Sequence, residues 1–188
     1  EAGLPVHCRI PTLIDLPESL RLILGAKPAA LHARALTEGG TPMPDVPVAL
    51  SSSSPGVVRV EGDRLVPVGV GRAILKASLD GISAVTPVEV VDSIAAQPIA
   101  LADGQKRSWT LPPGLYHVAI DIAASAGVAQ GVTLAWQGAR CDDQPERQAH
   151  RVTCDAPDGA TLTVANPVTY GVGLAVSGRV DITRVPAP

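Results

Sequence analysis

The feature that most constrains this chain is a two-residue apolar period that recurs in short runs over most of its length. Leu20, Leu22 and Leu24 share parity ahead of Gly25, and Leu31, Ala33 and Ala35 share it ahead of Gly39 and Gly40. Further runs are Val46, Val48 and Leu50, then Val58 and Val60, then residues 65–68, then Ala73, Leu75, Ala77 and Leu79, then Val88 and Val90. A period of two places alternate side chains on one face of an extended strand, so each run reads as a strand with one buried side. About seven such strands in roughly 80 residues, separated by turn residues, indicate a β-sandwich. The 18 Gly and 18 Pro follow no period, which fits many turns and leaves little room for long helices.

A second alternating region starts after residues 92–97, which read as a linker. Trp109 and Leu111 lead into the turn Pro112-Pro113-Gly114, and Tyr116, Val118, Ile120 and Ile122 then alternate with His117, Ala119 and Asp121. Val132, Leu134 and Trp136 follow, then Leu162 and Val164, then Tyr170, Val172, Leu174 and Val176, then Val180 and Ile182. The expectation is an all-β chain with a tail at 1–11, an immunoglobulin-like sandwich at 12–91, the linker, and a second sandwich at 98–186. The second sandwich is expected to be jelly-roll or immunoglobulin-like. Phe is absent, so both cores must be built mainly from Val, Leu, Ile and Ala.

The order of residues 20–25, the strand at 31–35, the turn Ser51-Ser52-Ser53-Ser54-Pro55, residues 57–60, Gly62, residues 65–68, Gly71 and the strand at 73–77 resembles bacterial immunoglobulin-like group 2 domains. One departure is Leu50, where that family often has an aromatic residue ahead of the serine turn. The resemblance spans 12–91 and implies a spacer or display module of surface proteins, with no catalytic residue. The Trp109-x-Leu111-Pro112-Pro113-Gly114-x-Tyr116-x-Val118 opening is similar to pre-peptidase C-terminal jelly-roll appendages of secreted enzymes, over one hairpin only.

The compartment is read from the cysteines. A leader removed before Glu1 accounts for a chain that starts without Met, and so does a trimmed chain. Cys141 and Cys154, with Pro145 and polar residues between them, are expected to form a disulfide closing a surface loop, worth about 3 kcal/mol in the chain-entropy picture. This points to a periplasmic, cell-surface or secreted protein, and the resemblance above implies a bacterial one. Cys8 reads as a free thiol or as an intermolecular pairing site in the tail, and the bulky His7 before it fits a lipidation site poorly.

Several chemistries compete for the same polar residues. Cys141, His150 and Cys154 with Asp142 or Asp143 offer zinc ligands, but their spacing matches no standard pattern and a disulfide explains both sulfurs. Asp142, Asp143 and Glu146 offer three carboxylates for calcium without EF-hand spacing, so a solvated acidic loop is the simpler reading and no metal or cofactor is expected. Nucleophilic catalysis needs a base beside Ser or Cys, and His7, His32, His117 and His150 stand in no such motif. Ser51 to Ser54 read as turn chemistry. Asn166 precedes Pro167, which excludes it as a glycosylation acceptor.

A net charge of -3 with interspersed signs gives no basic stripe for nucleic acid. No run of 18 apolar residues offers a membrane-spanning helix. What remains is a non-catalytic structural or protein-interaction module of an envelope or surface assembly, engaging a protein partner or its own copies through strand edges. A carbohydrate-binding module is the competing expectation. Its candidate surface is Trp109 with Arg140, Asp142, Asp143, Arg147, His150 and Arg151. By parity Tyr116, Trp136 and Tyr170 belong to the core, and so does Trp109 unless it stays exposed.

Overall fold

The computed structural model describes residues 10–124, 132–145, 149–168 and 175–188; the side chains of 123–124, 143–145 and 149 lie outside that description. Cys8, Glu146, Arg147 and Tyr170, and the side chain of Asp143, therefore fall outside the described residues. The described structure is all-β, built from antiparallel sheets. The chain divides into two compact units, 1–90 and 91–188.

The first unit contains β1 (Leu13–Asp15), β2 (Leu20–Ile23), β3 (Ala29–Ala30), β4 (Arg34–Leu36), β5 (Pro42–Met43), β6 (Ala49–Ser52), β7 (Val58–Glu61), β8 (Arg64–Pro67) and β9 (Gly71–Leu79). The first half of β10 (Ile82–Leu101) completes it. Strands β6, β9 and β10 lie side by side, with β2 also pairing β10, while β1-β4-β5 and β3-β8-β7 form two small sheets. Asp80 and Gly81, at φ 43° and 85°, make the two-residue hairpin between β9 and β10. Positive φ at both central positions is the geometry that joins right-twisted strands, and Asp-Gly tolerates it. Leu31, Val58, Leu65, Ala73, Leu75, Val88 and Val90 form the core, with Leu20, Leu22, Leu24 and Leu50 packed against it. Buried Thr86 donates its hydroxyl hydrogen to the Pro17 carbonyl, which satisfies the one polar side chain among these core positions.

Two expected strands are shorter than their alternation suggests. Leu31, Ala33 and Ala35 keep their inward parity, but the chain leaves β8 after Ala30 and joins β1 only at Arg34. Val46 and Val48 also face inward, yet the strand begins at Ala49, because Pro44 and Pro47 supply no N–H to a ladder.

The second unit sets β14 (Arg140–Pro145), β15 (Ala149–Ala156), β12 (Gly114–Ala124), β17 (Val176–Val185) and the second half of β10 in one sheet, in that order. A smaller sheet runs β11 (Lys106–Leu111), β16 (Ala160–Ala165), β13 (Thr133–Gln137). Tyr116, Val118, Ile120, Val152, Cys154, Val180 and Ile182 of the first sheet share one core with Leu111, Leu162 and Val164 of the second. Leu162 is opposite Trp109 on one side and Trp136 on the other, so both indoles lie on the inward face, half-buried.

The linker expected at 92–97 is strand: Asp92 to Gln97 pair with β17, with an irregularity between Ser93 and Ala95. The stretch between Cys141 and Cys154, expected as a surface loop, lies where residues 140–145 and 149–156 are two paired strands. The alternation of Val152, Cys154 and Ala156 with Arg151, Thr153 and Asp155 is an ordinary half-buried strand pattern, which the polar stretch before it obscures.

Gly178 is the tightest of the described glycines of this unit. A Cβ there would lie 2.0 Å from the Asp121 carbonyl oxygen on β12. Gly178→Ala should destabilise the protein by about 2 kcal/mol or more through forced backbone displacement. Leu162→Ala should cost about 3 kcal/mol by opening a cavity between the two tryptophans. Urea unfolding followed by tryptophan fluorescence measures both.

Candidate functional site

The cysteine pair is the one covalent feature built into the sheet. Cys141 of β14 and Cys154 of β15 are direct cross-strand partners, with Cα atoms 4.1 Å apart and a disulfide between them. Cys154 is fully buried and Cys141 half-buried, so the bond belongs to the core edge rather than to a surface loop as expected. The sulfurs being joined to each other removes the zinc alternative, since zinc needs thiolates. Among the described residues no group of three His, Cys, Asp or Glu side chains gathers as a metal site.

The strand alternation disperses the other candidates. Arg140, Asp142 and Arg151 are exposed on the outer face. Arg151 donates to Asp121 at 2.9 Å, a pair more than half exposed on both sides and so of little energetic weight. His150 has the opposite parity, beside Ile120 of β12, and its Nδ1 is buried with no hydrogen-bond partner among the described residues. The loop surface drawn from the sequence thus divides between two faces of a sheet.

Trp109 packs on the core of the second unit, and Arg107 places its guanidinium 5.5 Å from the ring centre. Arg107 also reaches Gln97 at 3.3 Å. Tyr116 is fully buried and its hydroxyl donates to the Pro112 carbonyl, four residues upstream. That bond ties the Pro112-Pro113-Gly114 turn to the core, in the manner of the tyrosine corners of β-sandwiches. Burial, the largest influence, pushes the Tyr116 phenol above its usual 10.0, against the Arg184 charge.

In the first unit, the outer face of β2, β10 and β9 holds an open groove of about 670 Å³, lined in part by Leu20, Ile74, Pro87, Arg21, Arg72 and Glu89. Glu89 stands 3.8 Å from Arg21 and 3.9 Å from Arg72, both loose contacts. The sequence reading did not single out this groove; the exposed Ile74, between Arg72 and Lys76 on the outer face of β9, is its signal. Of the serines read as turn residues, Ser52 uses its hydroxyl locally, Oγ accepting from the Ser54 N–H at 3.2 Å, whereas Ser53 Oγ accepts from the Ile74 N–H of β9 at 2.9 Å and so ties the turn to a strand distant in sequence.

No family model and no curated protein matches the chain. Among solved structures it is similar to domains 1–6 of the surface-layer protein SbsC, at 14% identity and TM-score 0.38 over 95% of this chain, which spans 28% of that one. It is also similar to SbsC domains 4 and 5, at 15% identity and TM-score 0.38, covering 94% of this chain and 99% of that one. A chimeric titin Z1Z2 tandem follows at 15% identity and TM-score 0.23, covering 90% of this chain and 96% of that one. At these scores the superpositions are too loose to transfer a function.

Replacing both Cys141 and Cys154 by Ala should lower stability by about 3 kcal/mol, and reductant should lower the melting temperature of the natural protein but not of the variant. The raised Tyr116 phenol means the folded state holds its proton more tightly than the unfolded chain. Its stabilising contribution is intact below pH 10 and declines as pH rises through the folded-state value. Tyr116→Phe should lose about 1 kcal/mol at neutral pH and show a shallower alkaline decline, measured by thermal unfolding across an alkaline pH series.

Proposed function

We propose that this chain is a non-catalytic structural or protein-interaction module of a bacterial envelope or cell-surface assembly. The observation that carries this reading is the Cys141–Cys154 bond built across β14 and β15, because such bonds persist in oxidising compartments outside the cytosol. Two consecutive all-β units with aliphatic cores suit a display or spacer role, and the first unit is read as a bacterial immunoglobulin-like group 2 domain. The charged side chains support it too. Arg59 with Glu61, Arg151 with Asp121 and Arg179 with Asp181 pair on solvated faces, and Arg21, Arg72 and Glu89, which border the open groove of the first unit, make only loose contacts with one another. Association is with protein, either its own copies or a neighbour, through strand edges.

The test is the intact mass of native protein under non-reducing conditions after alkylation, combined with light scattering. The expected result is a single alkylated thiol, a bonded Cys141–Cys154 pair and particles larger than a monomer. Three alkylated thiols in a monomer would overturn the reading.

A further inference from the structure

Strand β14 ends its sheet, and among the described residues nothing pairs with it on the side away from β15. The 4.1 Å Cα separation of Cys141 and Cys154 is that of a non-hydrogen-bonded antiparallel pair. The N–H and C=O of Cys141 therefore point away from β15, toward the open edge, whereas those of Arg140 and Asp142 point toward β15. Arg140 and Asp142 flank Cys141 on the exposed face, with opposite charges. The disulfide pins this edge to the core strand, so the edge is presented already ordered.

We infer that β14 pairs antiparallel with β14 of a second copy, in the register centred on Cys141. This rests on the self-assembly side of the reading above and names its surface. In that register the two Cys141 residues form the hydrogen-bonded pair that their outward backbone groups require. Arg140 of each copy is then opposite Asp142 of the other, so the contact occurs twice across the two-fold axis. The neighbouring registers are disfavoured. Centring on Arg140 opposes arginine to arginine, centring on Asp142 opposes aspartate to aspartate, and a shift of one residue turns the inner face of one copy to the outer face of the other. Charged edge strands commonly repel a second sheet, but a self-complementary Arg-x-Asp edge selects one pairing and disfavours the rest.

The edge is short, so the interface is small and the dimer weak, and sedimentation equilibrium should be followed to about 1 mM protein. Arg140→Asp opposes carboxylates at both contacts, and Asp142→Arg opposes guanidinium groups. Each alone should raise the dimer Kd by about tenfold or more. The double variant Arg140→Asp/Asp142→Arg restores both pairs and should dimerise as the natural protein does. An equimolar mixture of the two single variants should form a heterodimer. Both sites of substitution are exposed, so circular dichroism and the melting temperature should be unchanged. Natural protein and variants that associate alike would overturn pairing through β14 while leaving self-assembly by another surface standing. A natural protein that stays monomeric throughout would overturn this inference and self-assembly together, leaving the cysteine oxidation state to decide the compartment.

Discussion

Strand β10 is the constraint on which the rest of this chain depends. Its 20 residues supply ladder partners to β9 in the first unit and to β17 in the second. The first half buries even-numbered positions, Thr86, Val88 and Val90, and the second buries odd-numbered ones, Val91, Ala95, Ile99 and Leu101. A strand with a strict period of two would bury one parity throughout. Burying Val90 and Val91 in succession changes the parity, and the irregularity between Ser93 and Ala95 absorbs the remaining mismatch against β17. One segment of extended chain thereby serves two separate cores without an intervening loop.

The cores themselves are held by many small aliphatic contacts rather than by a few large rings. With no Phe in the chain, each buried Val, Leu and Ile of the first unit contributes a modest share of burial energy, and no aromatic side chain takes part. The second unit adds Tyr116 and the two half-buried tryptophans, and its polar ends are spent on holding turns: the Tyr116 hydroxyl on Pro112, the Asn166 amide on the Leu101 carbonyl. The disulfide extends this logic to the outermost pair of strands, where β14, among the described residues, has a neighbour on one side only and has few apolar side chains of its own.

Much of the candidate surface was legible as residues and not as an arrangement. Cys141 and Cys154 announce a bond by their number and spacing, but reading the polar stretch between them as a loop hides the fact that Arg151, Thr153 and Asp155 alternate with Val152, Cys154 and Ala156. Once that segment is strand, parity sends His150 inward and Arg151 outward, and the cluster that proximity in sequence suggested divides between two faces. The groove bordered by Arg21, Arg72 and Glu89 was signalled in the sequence only by an apolar residue on a polar strand face, since it needs β2, distant in sequence, beside the hairpin of β9 and β10.

The sequence by itself determined the all-β class, the inward positions of nearly every strand and the identity of the bonded cysteines, because a period of two and the pairing of thiols are local or nearly local properties. Only the tertiary structure decided where the ladders begin and end. Residues 92–97 look like a linker because their composition is small and polar, yet they are strand because β17 lies beside them to accept their backbone bonds. Leu31 and Ala35 share parity, yet the short strands on either side join different sheets because their partners, β8 and β1, do. Side-chain pattern states which face of a strand avoids water; which neighbour satisfies its N–H and C=O groups depends on chain segments far away in sequence.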